Sequence, residues 1–232
     1  MAVTNQPKNG IKSPAWAQRG KLRLARVEGG PARAAALVLQ ETWDGSPQGL
    51  ASMLRYAPAL VEELAAKKIN AVILDWSLGF SKEDNAIHRE IVQSLLPILK
   101  KKKIRAIAEI APDSCFPEEL ARRVPDALNW LKRDASNTVQ FINGKWALAD
   151  TANAGWRKFV ETSVVDAIDV GFSGVSFSFF GESNAGAEFL RHLRIPLRER
   201  LKEEFEQFAI CVQPANDPVL SASANLLVRT AG

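Results

Sequence analysis

Short apolar runs and helical patterns alternate along this sequence from about residue 34 to about residue 212. The runs AAALVLQ, AVIL, IRAIAEI, VSFSFF and FAICV are nearly continuous in apolar residues, as expected for strands that are buried on both faces. The segments between them repeat apolar residues at spacings of three and four, which indicates amphipathic helices. This alternation predicts a parallel sheet with helices packed on it.

The approximate boundaries of these elements follow from the same patterns. Asn143-Gly144 predicts a hairpin turn between strands at 138–142 and 146–149. Pro58 is expected to break the first helix or to lie in its first turn, and Pro196 is expected to interrupt the last helix, because proline lacks the N–H that a helix interior needs. The predicted buried strands end near residues 41, 75, 110, 179 and 212, a half-exposed strand covers 21–27, and the predicted helices cover 50–68, 83–103, 117–133, 156–170 and 187–207.

The number of strand–helix units limits the possible architectures. Eight units close a barrel in about 250 residues, whereas this chain of 232 residues offers about five units. Two architectures follow from this count, an incomplete (β/α) barrel and an open doubly wound sheet.

Charge and hydrophobicity narrow the classes of partner. The formal net charge is +4 and the isoelectric point is about 9.1, which is too mild to indicate binding to nucleic acid. No apolar run reaches the length of about 18 residues that a membrane span needs, so no membrane association is predicted. The N-terminal segment lacks the apolar stretch of a secretory signal, which makes the cytoplasm the default expectation for localisation.

Metal and cofactor chemistry is not indicated. Cys115 and Cys211 are far apart in the sequence and form no metal-binding spacing. Two histidines, His88 and His192, are too few for a histidine-rich metal site. No glycine-rich phosphate motif is present. We therefore predict neither a cofactor nor a metal.

Acidic residues recur where the predicted strands end. In barrels and in open α/β sheets, ligands bind beyond the carboxyl ends of the strands. Cleavage of a glycosidic bond needs paired carboxylates, one as acid and one as nucleophile or base. Tryptophan rings supply large apolar faces on which sugars can stack. The residues at the predicted strand ends are Glu41, Thr42, Trp43, Asp44, Asp75, Trp76, Glu109, Asp150 and Glu182.

Each of these residues also has an ordinary structural explanation. A carboxylate at a strand end is often a helix N-cap or a partner for an arginine. Trp130, Trp146 and Trp156 fit packing better than ligand binding. The lysine run 100–103 falls at the end of a predicted helix, where cations complement the helix dipole.

The order of the motifs resembles one known group of proteins. The segments in question are NAVILDWS at 70–77, IRAIAE at 104–109, LADTANAGWR at 148–157 and GFSGV at 171–175. They are similar to the barrel of glycoside-hydrolase-like proteins related to the α-amylase and α-galactosidase superfamilies. Those chains carry D-x-x-N-P-x-W-R before a helix and G-x-D-G-[aliphatic]-x-x-D on the following strand.

This chain departs from the family pattern at three positions. Ala154 stands in place of the usual proline, Ser173 in place of the aspartate between the glycines, and Ser178 in place of the strand-end nucleophile. A serine does not stabilise an oxocarbenium-like centre as a carboxylate does. The last predicted strand also offers no carboxylate before Asp217 that could act as the acid partner.

The resemblance covers about residues 34–182 and implies a TIM-type (β/α)8 barrel, incomplete or truncated at its C-terminal side. The barrel domain is expected to span residues 21–213. Residues 1–20 are expected to form a flexible N-terminal arm, and residues 214–232 an irregular C-terminal tail. The resemblance also implies a carbohydrate substrate or ligand and hydrolysis of glycosidic bonds by paired carboxylates. The candidate catalytic residues are Asp75, Glu109, Asp150 and Glu182, and the candidate substrate-binding residues are Trp43, Asp44, Trp76 and Arg157.

Two alternatives remain open at this point. The first is a catalytically degenerate barrel that binds carbohydrate or another partner, because Ser178 stands where the family has its nucleophile. The second is a barrel enzyme acting on a small phosphorylated or carboxylated metabolite, with lysine and arginine side chains holding the anion.

Overall fold

The computed structural model describes residues 2–4, 12–18, 22–27, 47–81, 86–142, 144, 146–214 and 217–229. The buried strand predicted at 34–40 and the strand-end residues that follow it, including Trp43 and Asp44, lie outside this part of the chain. In chain order the elements are β1 (Ala2–Thr4), α1 (Ala15–Gln18), β2 (Leu24–Val27), α2 (Pro47–Ala66), β3 (Ala71–Ser77), α3 (Ala86–Lys101), β4 (Arg105–Ile110), β5 (Ser114–Cys115), α4 (Pro117–Arg123), a 3-10 helix (Pro125–Trp130), β6 (Ala147–Leu148), α5 (Ala154–Val170), β7 (Gly174–Ser178), α6 (Ser183–Leu201), a second 3-10 helix (Lys202–Gln207), β8 (Ala209–Gln213), α7 (Pro218–Ser221) and β9 (Leu227–Arg229).

The central sheet has five parallel strands in the order β2-β3-β4-β7-β8. A long helix connects each strand of this sheet to the next, as parallel pairing requires. The predicted strands at 21–27, 71–74, 104–110, 175–180 and 208–212 are confirmed, with ends shifted by a few residues.

Three of the long helices, α2, α3 and α6, contain a proline and are nevertheless continuous. α2 passes through Pro58 and α6 through Pro196, so the predicted interruptions are wrong. In α6, Leu193 and Leu197 on either side of the proline are both buried. This tertiary packing compensates for the one backbone hydrogen bond that proline cannot make.

The segment that follows β4 is more divided than predicted. A single helix was expected over 117–133, but α4 ends at Arg123 and a 3-10 helix begins at Pro125. The proline explains the break, because a residue that precedes proline is pushed out of the helical region. Val124 accordingly has an extended backbone, with φ −125° and ψ 91°.

The predicted hairpin brings a second loop to the end of β4. Phe141 forms an antiparallel bridge with Ala147, which confirms the hairpin. Its second arm contains β6, which pairs with β5. Ala149 then donates its backbone N–H to the carbonyl oxygen of Asp113 at 2.8 Å. The loop containing Asp150 is therefore fixed beside the loop that follows β4.

The two faces of the central sheet are covered differently. The face that contains Leu74 and Phe177 packs against α2, α3, α5 and α6 in one apolar cluster. The opposite face packs instead against α1 and Leu226, near the C-terminus. In the described part of the chain the long helices thus pack on one face, as in a barrel and unlike a doubly wound sheet. The residues of the second cluster are Ala17, Leu22, Leu24, Ala71, Ile73, Ile107, Ala209, Cys211 and Leu226.

Side chains from the two edge strands of the sheet meet on this second face. Arg26 of β2 donates from Nη1 to Oε1 of Gln213 of β8 at 2.8 Å. In a flat sheet, four steps of about 4.8 Å would separate these strands by about 19 Å. The sheet is therefore curled into a half-barrel, and its second face is concave. Within the described residues these five strands do not make the closed eight-stranded barrel.

Both chain termini pack on the half-barrel. β1 pairs antiparallel with β9, and Ala17 of α1 is buried. The side chain of Asn225 accepts from the N–H of Ile210 at 2.6 Å and donates to the carbonyl of Phe208 at 2.7 Å. These bonds hold the C-terminal segment on β8. No described helix combines the length and the apolarity that crossing a membrane requires.

Candidate functional site

Polar side chains gather on the concave face, toward the carboxyl ends of its strands. The strand register places Asp75 beside Glu109, and Glu109 beside Ser176. Residues two apart along a strand share a face, so Ser178 belongs to the same group, and Gln213 is paired with Ser178. We call this group the concave-face cluster; it consists of Arg26, Asp75, Glu109, Ser176, Ser178 and Gln213.

Glu109 lies at the centre of the cluster and is 0% exposed. Its Oε1 accepts from Nη2 of Arg26 at 2.8 Å and from the hydroxyl of Ser178. Among the described residues, its Oε2 and the hydroxyl of Ser176 make no hydrogen bond of ordinary geometry, although Ser176 is close enough to act on the pKa of Glu109 in the lowering direction. Burial raises the pKa of Glu109 above its ordinary value, although Arg26 opposes the shift, and the neighbouring charge of Asp75 adds to it.

Asp75 closes the cluster on the β3 side. Its side chain is partly buried, and its carbonyl oxygen accepts from Nε2 of His88 at 2.7 Å. The end of β3 is therefore tied to α3 by a side chain that comes from within that helix.

A second group of charged residues lines a cavity at the loops that follow β4, β6 and β7. We call it the rim cavity; its volume is about 100 Å³, and its charged lining residues are Asp113, Lys132, Asp150, Arg157, Glu182 and Glu188. The start of α5 shapes one wall. Asn153 caps this helix by accepting from the N–H groups of Gly155 and Trp156 at 2.9 and 3.2 Å. Arg157 then donates from Nε to the carbonyl of Thr151 at 2.6 Å.

Asp113 forms the buried floor of the rim cavity and is only 4% exposed. Its carboxylate accepts from the backbone N–H of Phe180 at 3.0 Å and from that of Gly181 at 2.7 Å. Burial raises the pKa of Asp113, and these backbone hydrogen bonds act in the opposite direction. Sequence reasoning missed this residue because Pro112-Asp113 is typical of a turn. Its position just beyond the end of β4 was the available signal.

The outer edge of the rim cavity carries an ion pair and a turn. Nζ of Lys132 lies 2.8 Å from Oε1 of Glu182, and this hydrogen bond lowers the pKa of the Glu182 carboxyl. Glu182 is nevertheless largely open to solvent, with 76% of its side chain exposed. Asp150 accepts from the N–H of Ala152 at 2.9 Å. Its carboxylate is therefore partly used by its own loop.

The structure distributes the predicted site residues over several places. Asp150, Glu182 and Arg157 come together at the rim cavity, whereas Asp75 and Glu109 lie on the concave face. No group of three or more metal-ligand side chains converges among the described residues.

Two of the tryptophans named in the sequence analysis, Trp76 and Trp156, are buried in the core. Trp76 is 1% exposed, and its Nε1 donates to the carbonyl of Ser163 at 3.0 Å inside the core. The guanidinium of Arg89 covers its ring at 4.4 Å. We therefore leave Trp76 out of the proposed site, because its ring has no free face for a ligand. Trp156 is 0% exposed, which confirms the packing role predicted for it.

No family model matches this chain, and no curated protein is significantly similar to it in sequence. Solved structures are similar to it in fold. A noncanonic maltogenic alpha-amylase from Thermotoga neapolitana matches with a TM-score of 0.58 and 10% identity, over 87% of this chain and 47% of that one. A GH36 alpha-galactosidase from Geobacillus stearothermophilus, in complex with stachyose, has a TM-score of 0.58 and 14% identity, over 92% of this chain and 31% of that one.

A debranching enzyme from Nostoc punctiforme gives a similar result, with a TM-score of 0.57 and 15% identity over 89% of this chain and 50% of that one. The fold is thus similar to that of amylase and alpha-galactosidase glycoside hydrolases, as the motif resemblance implied. The chain spans about a third to a half of the length of these structures.

Proposed function

We propose that this chain is a carbohydrate-active protein that binds sugars at the rim cavity. The observation that carries the proposal is the convergence of charged side chains from the loops after β4, β6 and β7 on one cavity. The loop after β6 is part of the connection from β4 to α5, so all of these segments lie beyond the carboxyl ends of β4 and β7, where barrels of this kind bind their ligands. The glycoside hydrolases with the same fold support a sugar as the ligand.

The chemistry of the lining suits sugar hydroxyl groups. A hydroxyl both donates and accepts hydrogen bonds, so it can use a carboxylate and a cation at the same time. Glu182 and Lys132, 2.8 Å apart, offer this combination at the opening of the cavity. The lining contains four acidic and two basic side chains. This balance disfavours the alternative of a phosphorylated or carboxylated metabolite.

Hydrolysis of a glycosidic bond is the second candidate. Asp75 and Glu109 are neighbours on adjacent strands, and the raised pKa of Glu109 is the property that a general acid needs. Against this, Glu109 has no exposed surface, and one of its oxygens is held by Arg26 and Ser178. This arrangement favours the binding function over the hydrolytic one.

Isothermal titration calorimetry with maltotriose and stachyose tests the binding function. We expect measurable affinity for at least one of them and none for glucose 6-phosphate. Lys132→Ala and Asp150→Asn should each weaken that affinity. Lys67→Ala should not, since Lys67 forms a surface pair with Glu63 on α2. If no sugar binds, or if Lys67→Ala weakens binding as much, the rim cavity is not a sugar site.

Aryl α-glucosides and α-galactosides test the second candidate. If the cluster is catalytic, the protein releases the aryl group, and Asp75→Asn or Glu109→Gln abolishes this activity while the protein stays folded. Sugar binding without any release of the aryl group would leave binding as the function.

A further inference from the structure

The rim cavity is too small to hold a whole sugar, so residues around the cavity have to contact the rest of the ligand. Its volume of about 100 Å³ is well below the roughly 300–1,000 Å³ of ordinary ligand pockets. A ligand can therefore insert only part of a sugar ring, and the rest has to lie on the rim. This inference rests on the proposed function.

Phe180 is an exposed aromatic residue whose backbone N–H donates to Asp113, the floor of the rim cavity. It directly precedes Gly181 and Glu182, which line the cavity. Phe177 and Phe179, in the same segment, are 0% and 7% exposed, whereas Phe180 is 60% exposed. The segment thus places two rings in the core and leaves the third in solvent. Exposing a ring of this size is unfavourable in the free protein, because its apolar surface stays in contact with water.

The backbone that carries Phe180 is held firmly. The buried carboxylate of Asp113 accepts from the N–H groups of Phe180 and Gly181. Gly181 allows this close approach, since a Cβ atom at this position would lie 3.1 Å from Oδ2 of Asp113. The N–H of Phe179 also donates to the carbonyl of Gln213 at 2.9 Å. Consecutive residues of the turn are therefore anchored at the end of the sheet, and an aromatic residue on such a support is well placed for binding.

We infer that Phe180 is a sugar-binding residue, on which a pyranose ring stacks while its hydroxyl groups reach Lys132 and Glu182. The apolar C–H face of a sugar and the face of an aromatic ring bury each other on contact. The pair of Lys132 and Glu182, whose carboxylate follows Phe180 by two residues in the sequence, supplies one donor and one acceptor for vicinal hydroxyls. Phe180 would thereby take the sugar-stacking role that the sequence suggested for Trp43 and Trp76.

Calorimetric titration of Phe180 variants with maltotriose and stachyose tests this role. Phe180→Ala should weaken the affinity roughly tenfold, and Phe180→Trp should restore it, because stacking depends on the aromatic face. Phe180→Leu keeps much of the apolar area without the ring and should bind less tightly than Phe180→Trp. The matched control is Phe141→Ala, because Phe141 is 52% exposed and lies on the hairpin; it should leave the affinity unchanged. Thermal unfolding of all four variants should match that of the unmodified chain.

The outcomes separate this inference from the proposed function. If the unmodified chain binds a sugar and Phe180→Ala binds it equally well, the platform role is wrong and the rim cavity remains the site. If Phe180→Leu binds as tightly as Phe180→Trp, the contact is merely apolar and the stacking role is wrong. If the unmodified chain binds neither sugar, both the proposed function and this inference are overturned.

Discussion

The concave-face cluster and the rim cavity each contain a buried carboxylate whose pKa is raised by burial, but they compensate that burial in different ways. Glu109 is compensated by side chains, namely the guanidinium of Arg26 and the hydroxyl of Ser178. Asp113 is compensated by the backbone, through the N–H groups of Phe180 and Gly181. One carboxylate thus links strands of the sheet, and the other links two loops.

This difference decides which region is open to a ligand. In the concave-face cluster Arg26 of β2 reaches across the inside of the half-barrel to Glu109 of β4 and Gln213 of β8, so these side chains are engaged with one another. At the rim cavity, Asp113 uses the backbone of the next loop, so the side chains of Lys132 and Glu182 stay at the surface. Carboxylates at strand ends are therefore not equivalent, although the sequence presents them in the same way.

The largest loss of stability is expected when the carboxylate of Glu109, at the centre of the concave-face cluster, is removed. Glu109→Ala removes the counter-charge of Arg26, although Arg26 keeps its hydrogen bond to Gln213, and it creates a void. Loss of one member of a buried ion pair costs about 3 kcal/mol of unfolding free energy. Glu109→Gln should cost much less, because burial already disfavours the ionised carboxyl and the amide oxygen can still accept from Arg26. Urea unfolding at pH 7 measures both changes. Equal losses for the two variants would show that charge, and not shape, decides the stability of the cluster.

The pH dependence sharpens this prediction. The pKa of Glu109 is raised in the folded state, so its contribution to stability is fully present below the ordinary carboxyl pKa of about 4.3. The contribution is lost as the pH rises through the folded-state pKa. The stability of the unmodified chain should therefore fall with rising pH relative to that of Glu109→Gln. Parallel stability curves for the two proteins would contradict this assignment.

A loss of stability of intermediate size is expected when the carboxylate at the floor of the rim cavity is removed. Asp113→Ala leaves the N–H groups of Phe180 and Gly181 without their acceptor, which costs about 1–3 kcal/mol when such groups are buried. The change should also speed amide hydrogen exchange at these two residues while exchange in β4 stays slow. Asp113→Asn is the matched control, since its amide oxygen can still accept one of the bonds. Unchanged exchange in Asp113→Ala would mean that the loop does not depend on this carboxylate.

The strands were predictable from the sequence because they are apolar on both faces. Runs such as AVIL and FAICV are continuous for this reason, and the parallel register that follows from them brings Asp75 and Glu109 together. Helix continuity at Pro196 was not predictable, since it depends on packing between residues that are distant in the sequence.

The rim cavity was only partly predictable. Asp150 and Glu182 follow recognisable elements, but their meeting with Lys132 depends on the hairpin geometry. The role of Asp113 depends on the approach of two loops that are 67 residues apart in sequence, and no local pattern encodes such an approach. Trp76 shows a further limit of the sequence. Its position at a strand end suggested exposure, but the alternation of side chains along the strand turns its ring toward the helices.

The smallest effect on stability, and the clearest separation of the two regions, is expected from Glu182→Gln. Its carboxylate is largely exposed, and exposed ion pairs add little to folding, so thermal unfolding should not change. Sugar binding should weaken several-fold, because the variant loses the charge that orients Lys132 and accepts from a hydroxyl. The control is Glu161→Gln, since Glu161 pairs with Lys158 at the same distance of 2.8 Å but does not line the rim cavity. Equal binding by the two variants would exclude Glu182 from the site. A lower unfolding temperature for Glu182→Gln alone would show that the rim, like the concave-face cluster, uses its charges to hold the fold together.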